Sequence, residues 1–474
     1  MNSSSNKVIS LLKDFFYALI SNGLTFVISA VMALLLPKFL SVEDFGFYQL
    51  YIFYMTYASI FAFGWPDGIY LRIGGKSIDN IDNRTYGTQF YLFTIFEVFV
   101  YIILVVFAGL LESDLNKLIV LKLCCISGFI FCVRLFLNYI LQGTGNIKKY
   151  SFVIIIEKLI FIVLSILLIL FKFCTYYYIL FADIIAKIIS LVIAITYCKK
   201  FALVIPKSWK SIKKEIFENI FSGSQLTIAT FASILIVGVA KFAVQNRWSI
   251  TVFSKVSFAF SISNMLMQFV GAVSIALFPA LRRIEKKQLS NIYSTFRSIL
   301  MIAVLGMLNF YWIGAIILCR WLPEYIDSLR YAIILIPICV YESKMSMVVN
   351  TYYKTLRLEQ WLMKINFLSM CLSLIMTVIS AYYFNSIILA VVSIFLALAI
   401  RCIIGEIVLS RKIDIYVIKH IILELVVCCS FILGNWFFGV KGEIIYFAMY
   451  VMYILLTKDE AKKCISFIAS KVMR

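Results

Sequence analysis

Apolar residues come in roughly fourteen long runs between Leu11 and Leu456, and the short loops between the runs alternate between rich and poor in Lys and Arg. Each run is as long as a helix that crosses lipid, about 20 residues for a hydrocarbon core of about 30 Å, and too long for a barrel strand. Backbone inside lipid must satisfy its own N–H and C=O groups, so each run predicts one membrane-spanning α-helix. The predicted spans are 12–36, 45–65, 86–110, 118–141, 151–172, 177–198, 217–241, 250–278, 293–318, 329–351, 362–384, 386–409, 416–438 and 443–456. The last is the weakest, with about 14 apolar residues against a usual minimum of ~17. It is nonetheless expected to cross, because otherwise the basic tail with Lys462, Lys463 and Lys471 would lie outside.

With the N-terminus inside, the cytoplasmic segments carry Lys7/Lys13, Arg72/Lys76/Arg84, Lys148/Lys149, six lysines from Lys199 to Lys214, Arg282/Arg283/Lys286/Lys287, Lys354/Arg357/Lys364, Arg411/Lys412/Lys419 and the tail Lys458–Arg474. That is roughly 28 basic residues against about eight outside, which predicts both termini in the cytoplasm. The first run is too long for a signal-peptide core and lacks an obvious small-residue cleavage site, so it reads as a retained helix.

Composition agrees with this pattern and removes other classes. Hydrophobic residues make up 63% of the chain, charged ones 14%, and mean hydropathy is +0.98. The fold class is therefore an all-α polytopic membrane protein. The longest polar stretch, Lys199 to Glu218, is far below the ~50 residues of a small independent domain. A net charge of +20 would suggest nucleic acid for a soluble chain, but here it follows from loop charge at one membrane face, and no nucleic-acid partner is expected. Most of the twelve cysteines, among them Cys124, Cys132, Cys339, Cys402 and Cys428, lie in apolar runs and read as small lipid-embedded hydrophobes. No CxxC or Cys/His spacing suggests a metal, and no cofactor is expected. His420, the only histidine, stands beside Lys419 at a helix entry and reads as interfacial.

The loop from Lys199 to Glu218 separates one set of six helices from a second. A faint echo supports the division: Ser21-Asn22-x-Leu24-Thr25 ending at Lys38-Phe39, against Ser224-Gln225-Leu226-Thr227 ending at Lys241-Phe242. The expected domains are an N-lobe 1–200, a C-lobe 201–412 and a C-terminal helix pair with basic tail 413–474. Two parallel six-helix halves form a transporter architecture with a cavity opening alternately to each side.

Ionisable groups inside spans cost about 2.5–3.5 kcal/mol each on insertion scales, so each needs a partner, a wet cavity or a function. The sequence holds Glu97, Arg134, Glu157, Lys158, Asp183, Lys187, Lys255, Glu342, Lys344, Arg401 and Glu424. Asp183 and Lys187 are four apart, the spacing of an intrahelical ion pair. They read either as a neutralised structural pair or as functional groups, Asp183 or Glu97 taking a coupling H⁺ or Na⁺ and Lys187 an anion. Arg134, Lys158, Lys187 and Lys255 are the cations expected along a central cavity, Arg as a planar fork for phosphate oxygens and Lys as a point charge. Aromatic clusters such as Tyr176-Tyr177-Tyr178 and Tyr382-Tyr383 fall at predicted helix ends and read as interfacial belts.

Four cytoplasmic motifs follow in order: Asp67-Gly68-Ile69-Tyr70-Leu71-Arg72-Ile73-Gly74-Gly75; Gln142-Gly143-Thr144-Gly145-Asn146-Ile147-Lys148-Lys149-Tyr150-Ser151; Phe278-Pro279-Ala280-Leu281-Arg282-Arg283; and Tyr352-Tyr353-Lys354-Thr355-Leu356-Arg357-Leu358-Glu359. Singly they read as tight turns with positive-inside charge, and none has P-loop spacing. Together they resemble loops of bacterial oligosaccharide flippases, the polysaccharide-export branch of the multidrug/oligosaccharidyl-lipid/polysaccharide (MOP) exporter superfamily. That resemblance covers nearly the whole chain and implies a MOP/MATE-like fold. It also implies that the protein, without enzyme activity, moves undecaprenyl-pyrophosphate-linked oligosaccharide repeat units across the bacterial cytoplasmic membrane. Arg72 and Arg134 would be entry and cavity contacts, and a polysaccharide polymerase and glycosyltransferases would be neighbours. The alternatives are a flippase for lipid II or another lipid-linked precursor, a multidrug antiporter of the same superfamily, and a membrane polymerase or glycosyltransferase. The last is disfavoured by predicted outer loops of only about 4–13 residues.

Overall fold

A computed structural model describes the chain except residues 1–22, 25, 205–206, 282–288, 357 and 473–474. Lys7, Lys13, Ser21, Asn22, Thr25, Arg282, Arg283, Lys286, Lys287 and Arg357 therefore lie outside the described residues. No strand occurs among the described residues. Among the described residues, ten helices are long and apolar enough to cross a membrane, or twelve when two bent pairs each count as one span. The first two predicted spans fall on α1 (Phe26–Phe39) and on α2 (Val42–Met55), both shorter than those ten.

The chain divides into two compact units, Met1–Ile234 and Leu235–Arg474. In the first, α2 is followed by a 3₁₀ turn (Ala58–Ala62), two left-handed residues (Phe63 and Gly64), and α3 (Trp65–Ile73). The predicted second span is thus broken rather than continuous. Its freed carbonyl at Ala58 accepts from the Cys132 thiol at 3.3 Å and the Tyr101 hydroxyl at 3.4 Å. Such repair by neighbouring helices is what lets a helix break inside a membrane protein. Then come α4 (Asn83–Leu111), α5 (Leu115–Gly143), α6 (Ile147–Leu170), α7 (Tyr176–Tyr197), the single turn α8 (Lys199–Ala202) and the start of α9 (Trp209–Arg247). Asp82 and Asp114 cap α4 and α5 by accepting from the first free backbone N–H groups. The core is aromatic: Trp65 lies edge-on to Phe93, and Phe90 and Phe93 pack on Phe136 at 5.5 and 5.3 Å. Ile212 and Ile216 at the start of α9 join the same cluster. The opposite face of α4 leaves Ile95, Phe99, Val106 and Leu110 exposed, a surface suited to acyl chains rather than water.

The second unit begins with the end of α9 and contains α10 (Ile250–Leu281), α11 (Leu289–Leu308), α12 (Tyr311–Trp321), α13 (Ile326–Leu335), α14 (Ile338–Lys344), α15 (Asn350–Thr355), α16 (Glu359–Val378), α17 (Ile387–Ile413), α18 (Ile418–Phe438) and α19 (Val440–Val472). The predicted ninth span is bent by 42° between α11 and α12, and the tenth by 44° between α13 and α14 at Pro337. A π-helical turn, Met345–Val349, joins α14 to α15. The marginal fourteenth run proves longer than predicted, because α19 starts at Val440 after a left-handed Gly439, and Val440–Lys458 has the length of a span. Tyr446 and Tyr450 donate to the Leu305 and Ile302 carbonyls, tying α19 to α11.

Helices α18 and α19 approach closely at Gly434 and Gly442, where a Cβ on Gly442 would fall on the Gly434 carbonyl. Gly442→Ala is expected to pry the pair apart at a cost of about 1–3 kcal/mol. Thermal unfolding of the detergent-solubilised protein tests this against Gly314→Ala, whose new Cβ meets nothing within 4 Å. Equal melting temperatures for the two variants would refute the contact.

Candidate functional site

Four helices of the first unit bring their polar groups together. Lys187 on α7 pairs with Asp183 one turn before it, and lies 3.7 Å from Glu157 on α6. Arg134 on α5 pairs with the same Glu157 and donates to Ser190 at 2.8 Å, while Ser190 donates to the Val153 carbonyl at 2.8 Å. The Tyr51 hydroxyl on α2 donates to Asp183 and shares a hydrogen bond with Ser127. All four charged groups are buried, two cations against two anions. Helical geometry accounts for the assembly: Asp183, Lys187 and Ser190 share one face of α7, and α5 and α6 both pack on that helix.

The second unit contains an analogous cluster. Lys344 on α14 meets Glu406 on α17 and Glu424 on α18, both at 2.6 Å. Arg297 on α11 pairs with the same two carboxylates, reaching Glu424 at 2.8 Å, and Tyr293 donates to Glu406 at 3.1 Å. Again two cations balance two anions in full burial. Beside it, Arg401 donates to Glu342 and Asn366, each at 2.9 Å.

Of the cations expected along one cavity, Arg134 and Lys187 thus share a cluster. Lys158 follows Glu157 on α6 and is half-buried. Lys255 belongs to the second unit, where it pairs with the exposed Asp327 at 2.5 Å. Glu97 on α4 is fully buried near the broken span, beside the Cys132 thiol. Arg72 ends α3 on the cytoplasmic side of the sequence-predicted topology and pairs with Glu218 at 2.6 Å and Glu215 at 4.0 Å. The two glycine motifs meet there: the Gly75 N–H donates to the Gly143 carbonyl at 3.1 Å, and Gly75 and Gly145 take left-handed conformations that favour glycine.

Sequence reasoning missed Arg297, Glu406 and Tyr51. Arg297 and Glu406 lie near the ends of predicted spans, where a charge reads as interfacial. The spacing of Tyr293 to Arg297, one turn apart, was the available signal.

Comparison with known proteins finds this arrangement of helices in a flippase and in transporters. The fold is similar to that of "Lipid II flippase MurJ, inward closed conformation", with a TM-score of 0.67 at 13% identity over 94% of this chain and 99% of that one. It is also similar to an inward-facing multidrug resistance MATE family transporter of the MOP superfamily, at 0.61 and 12% over 84% and 94%. A MOP superfamily transporter from Pyrococcus furiosus matches at 0.53 and 12% over 85% and 96%. At such identities the likeness is one of fold, and these neighbours are a flippase and transporters rather than enzymes. A family model described as polysaccharide biosynthesis protein matches residues 11–285, more than half of the chain, and the chain belongs to that family. No curated protein matches it.

Proposed function

We propose that this multi-pass membrane protein flips undecaprenyl-pyrophosphate-linked oligosaccharide repeat units from the inner to the outer leaflet of the bacterial cytoplasmic membrane. The polymer built from them would be a capsule, exopolysaccharide or related surface glycan. Membership of the polysaccharide biosynthesis family, on a fold similar to that of a lipid II flippase, carries this reading. The buried cations add chemical support, since a diphosphate entering a low-dielectric interior needs fixed positive charge to offset its desolvation.

Alternating access would carry the head group through the protein while the polyprenyl tail stays in lipid, with both termini cytoplasmic. Arg134, Lys158, Lys187 and Lys255 are the proposed contacts along the path, and Arg72 the contact at entry. Because Arg134 and Lys187 have carboxylate partners, a diphosphate has to replace those partners or find them neutralised. A proton or Na⁺ taken up at Asp183 would do the latter, freeing Lys187 for the anion. Glu97, fully buried on α4, is the second proposed coupling group. A polysaccharide polymerase and glycosyltransferases are the proposed neighbours in the membrane.

A strain lacking the protein is expected to accumulate lipid-linked repeat units on the cytoplasmic side and to lose its surface polymer. Normal polymer in that strain would refute the reading. The similarity to MurJ favours one second reading, a flippase for lipid II. Rescue of cells depleted of their own lipid II flippase would select it.

A further inference from the structure

The contact between α3 and the cytoplasmic end of α9 is built of backbone and charge. A Cβ on Gly64 would run into the backbone of Gly223 and Ser224, one on Gly68 into the Asn219 carbonyl, and one on Gly223 into the Gly64 carbonyl. Gly64 and Gly68 are four apart, as are Asn219 and Gly223, so two helix backbones touch over a full turn. A polar lattice closes over this seam. The Gln89 side-chain oxygen accepts from the Trp65 indole at 3.1 Å and from Asn219 at 3.0 Å, and its amide donates to Glu215 at 3.2 Å. Lys207, in the segment leading to α9, donates through its backbone to Thr88 at 2.7 Å and pairs with Asp82 at 2.5 Å. That hydrogen bond to Lys207 holds the Asp82 carboxyl down at about 2, well below the usual carboxylate range.

Arg72 stands at the open end of this seam. Its side chain is one-third exposed, and its partners Glu215 and Glu218 both belong to α9. A carboxylate that ties α9 to α3, Glu218, therefore occupies the guanidinium, with Glu215 4.0 Å away. A diphosphate offers the same planar oxygen pairs at higher charge, and a guanidinium binds phosphate and carboxylate in one geometry. We infer that Arg72 is a masked diphosphate site: Glu218 fills it, with Glu215 alongside, while α9 is docked on α3, and a diphosphate that takes Arg72 undocks α9 at its cytoplasmic end. This rests on the diphosphate-linked substrate proposed above, and it adds the device by which substrate would trigger opening. Because α9 runs without a break from the first unit into the second, undocking it moves a helix common to both.

The test uses the full-length protein in nanodiscs of zwitterionic lipid, with inorganic pyrophosphate as probe. Calorimetry gives its affinity, and hydrogen exchange over residues 64–75 and 209–224 reports docking. Glu215→Gln/Glu218→Gln is expected to raise pyrophosphate affinity about three- to tenfold, the competition two part-exposed ion pairs supply, and to speed exchange in both segments. Arg72→Ala in that background should abolish the gain, and Gly68→Ala should reproduce it without touching a charge. Unchanged exchange and unchanged affinity in the double variant would overturn the inference. Pyrophosphate that binds through Arg72 equally well with and without the carboxylates would overturn the masking while leaving the diphosphate substrate standing. Faster exchange with no pyrophosphate binding in any variant would leave the latch but overturn its trigger, and would count against the diphosphate substrate itself.

Discussion

Replacing Lys344 by methionine is expected to destabilise the protein by about 3–5 kcal/mol, the cost of stranding a buried charge. Lys344 is fully buried and holds Glu406 and Glu424 at 2.6 Å each, so its loss leaves two buried carboxylates facing the single cation Arg297. Glu406 and Glu424 are as buried as the lysine, so bulk solvent does not screen the imbalance. The cluster also ties α11, α14, α17 and α18 together, so the damage should not stay local. Lys344→Met with Glu424→Gln restores the balance of charge, and most of the lost stability should return with it. Thermal unfolding of wild type, both single variants and the double variant gives the coupling directly. A Lys344→Met protein that melts within experimental error of wild type would sink the argument.

In the first unit, Arg134→Ala should cost a similar ~3–5 kcal/mol and abolish polymer export. The substitution deprives Glu157 of its closest cation and leaves Lys187 at 3.7 Å, a lysine already paired with Asp183, and the neighbouring half-buried Lys158. Stability and transport can be separated here. Arg134→Ala/Glu157→Ala removes one cation and one anion together and keeps the Asp183–Lys187 pair, so stability should largely recover. Export is expected to stay absent, because the guanidinium proposed to meet the diphosphate is gone. Export that returns together with stability would make Arg134 a structural residue and remove it from the substrate path. Full export from an Arg134→Ala/Lys187→Ala variant would dispose of the cavity assignment altogether.

Legibility differed by kind of feature. Helix ends were readable where chemistry marks them: α7 starts at Tyr176, within the tyrosine cluster expected at an interface, and both hydroxyls of Tyr176 and Tyr177 donate to Asn116 at 2.9 Å. The Asp183–Lys187 pair was readable because i,i+4 spacing is a property of one helix alone. The break after α2 and the bends at α11–α12 and α13–α14 were not. Apolar residues run straight through them, and Pro66 and Pro337 hint at a kink without showing whether neighbouring helices can satisfy the freed backbone groups. Pairing between helices was equally hidden. Arg134 could be recognised as buried, but its partnership with Glu157 depends on the rotation of α5 and α6 about their axes.

The sequence by itself determined that this is a polytopic helical membrane protein, where most of its spans lie, and that ionisable groups sit too deep in them to be interfacial. Those properties follow from local hydropathy and helical period. Only the tertiary structure decided that Arg134, Glu157, Asp183 and Lys187 form one balanced cluster and Arg297, Lys344, Glu406 and Glu424 another, and that Arg72 is held by α9. The reason is physical: the cost of burying a charge can be read from its own position, whereas the relief of that cost comes from groups on other helices, and which groups those are depends on packing.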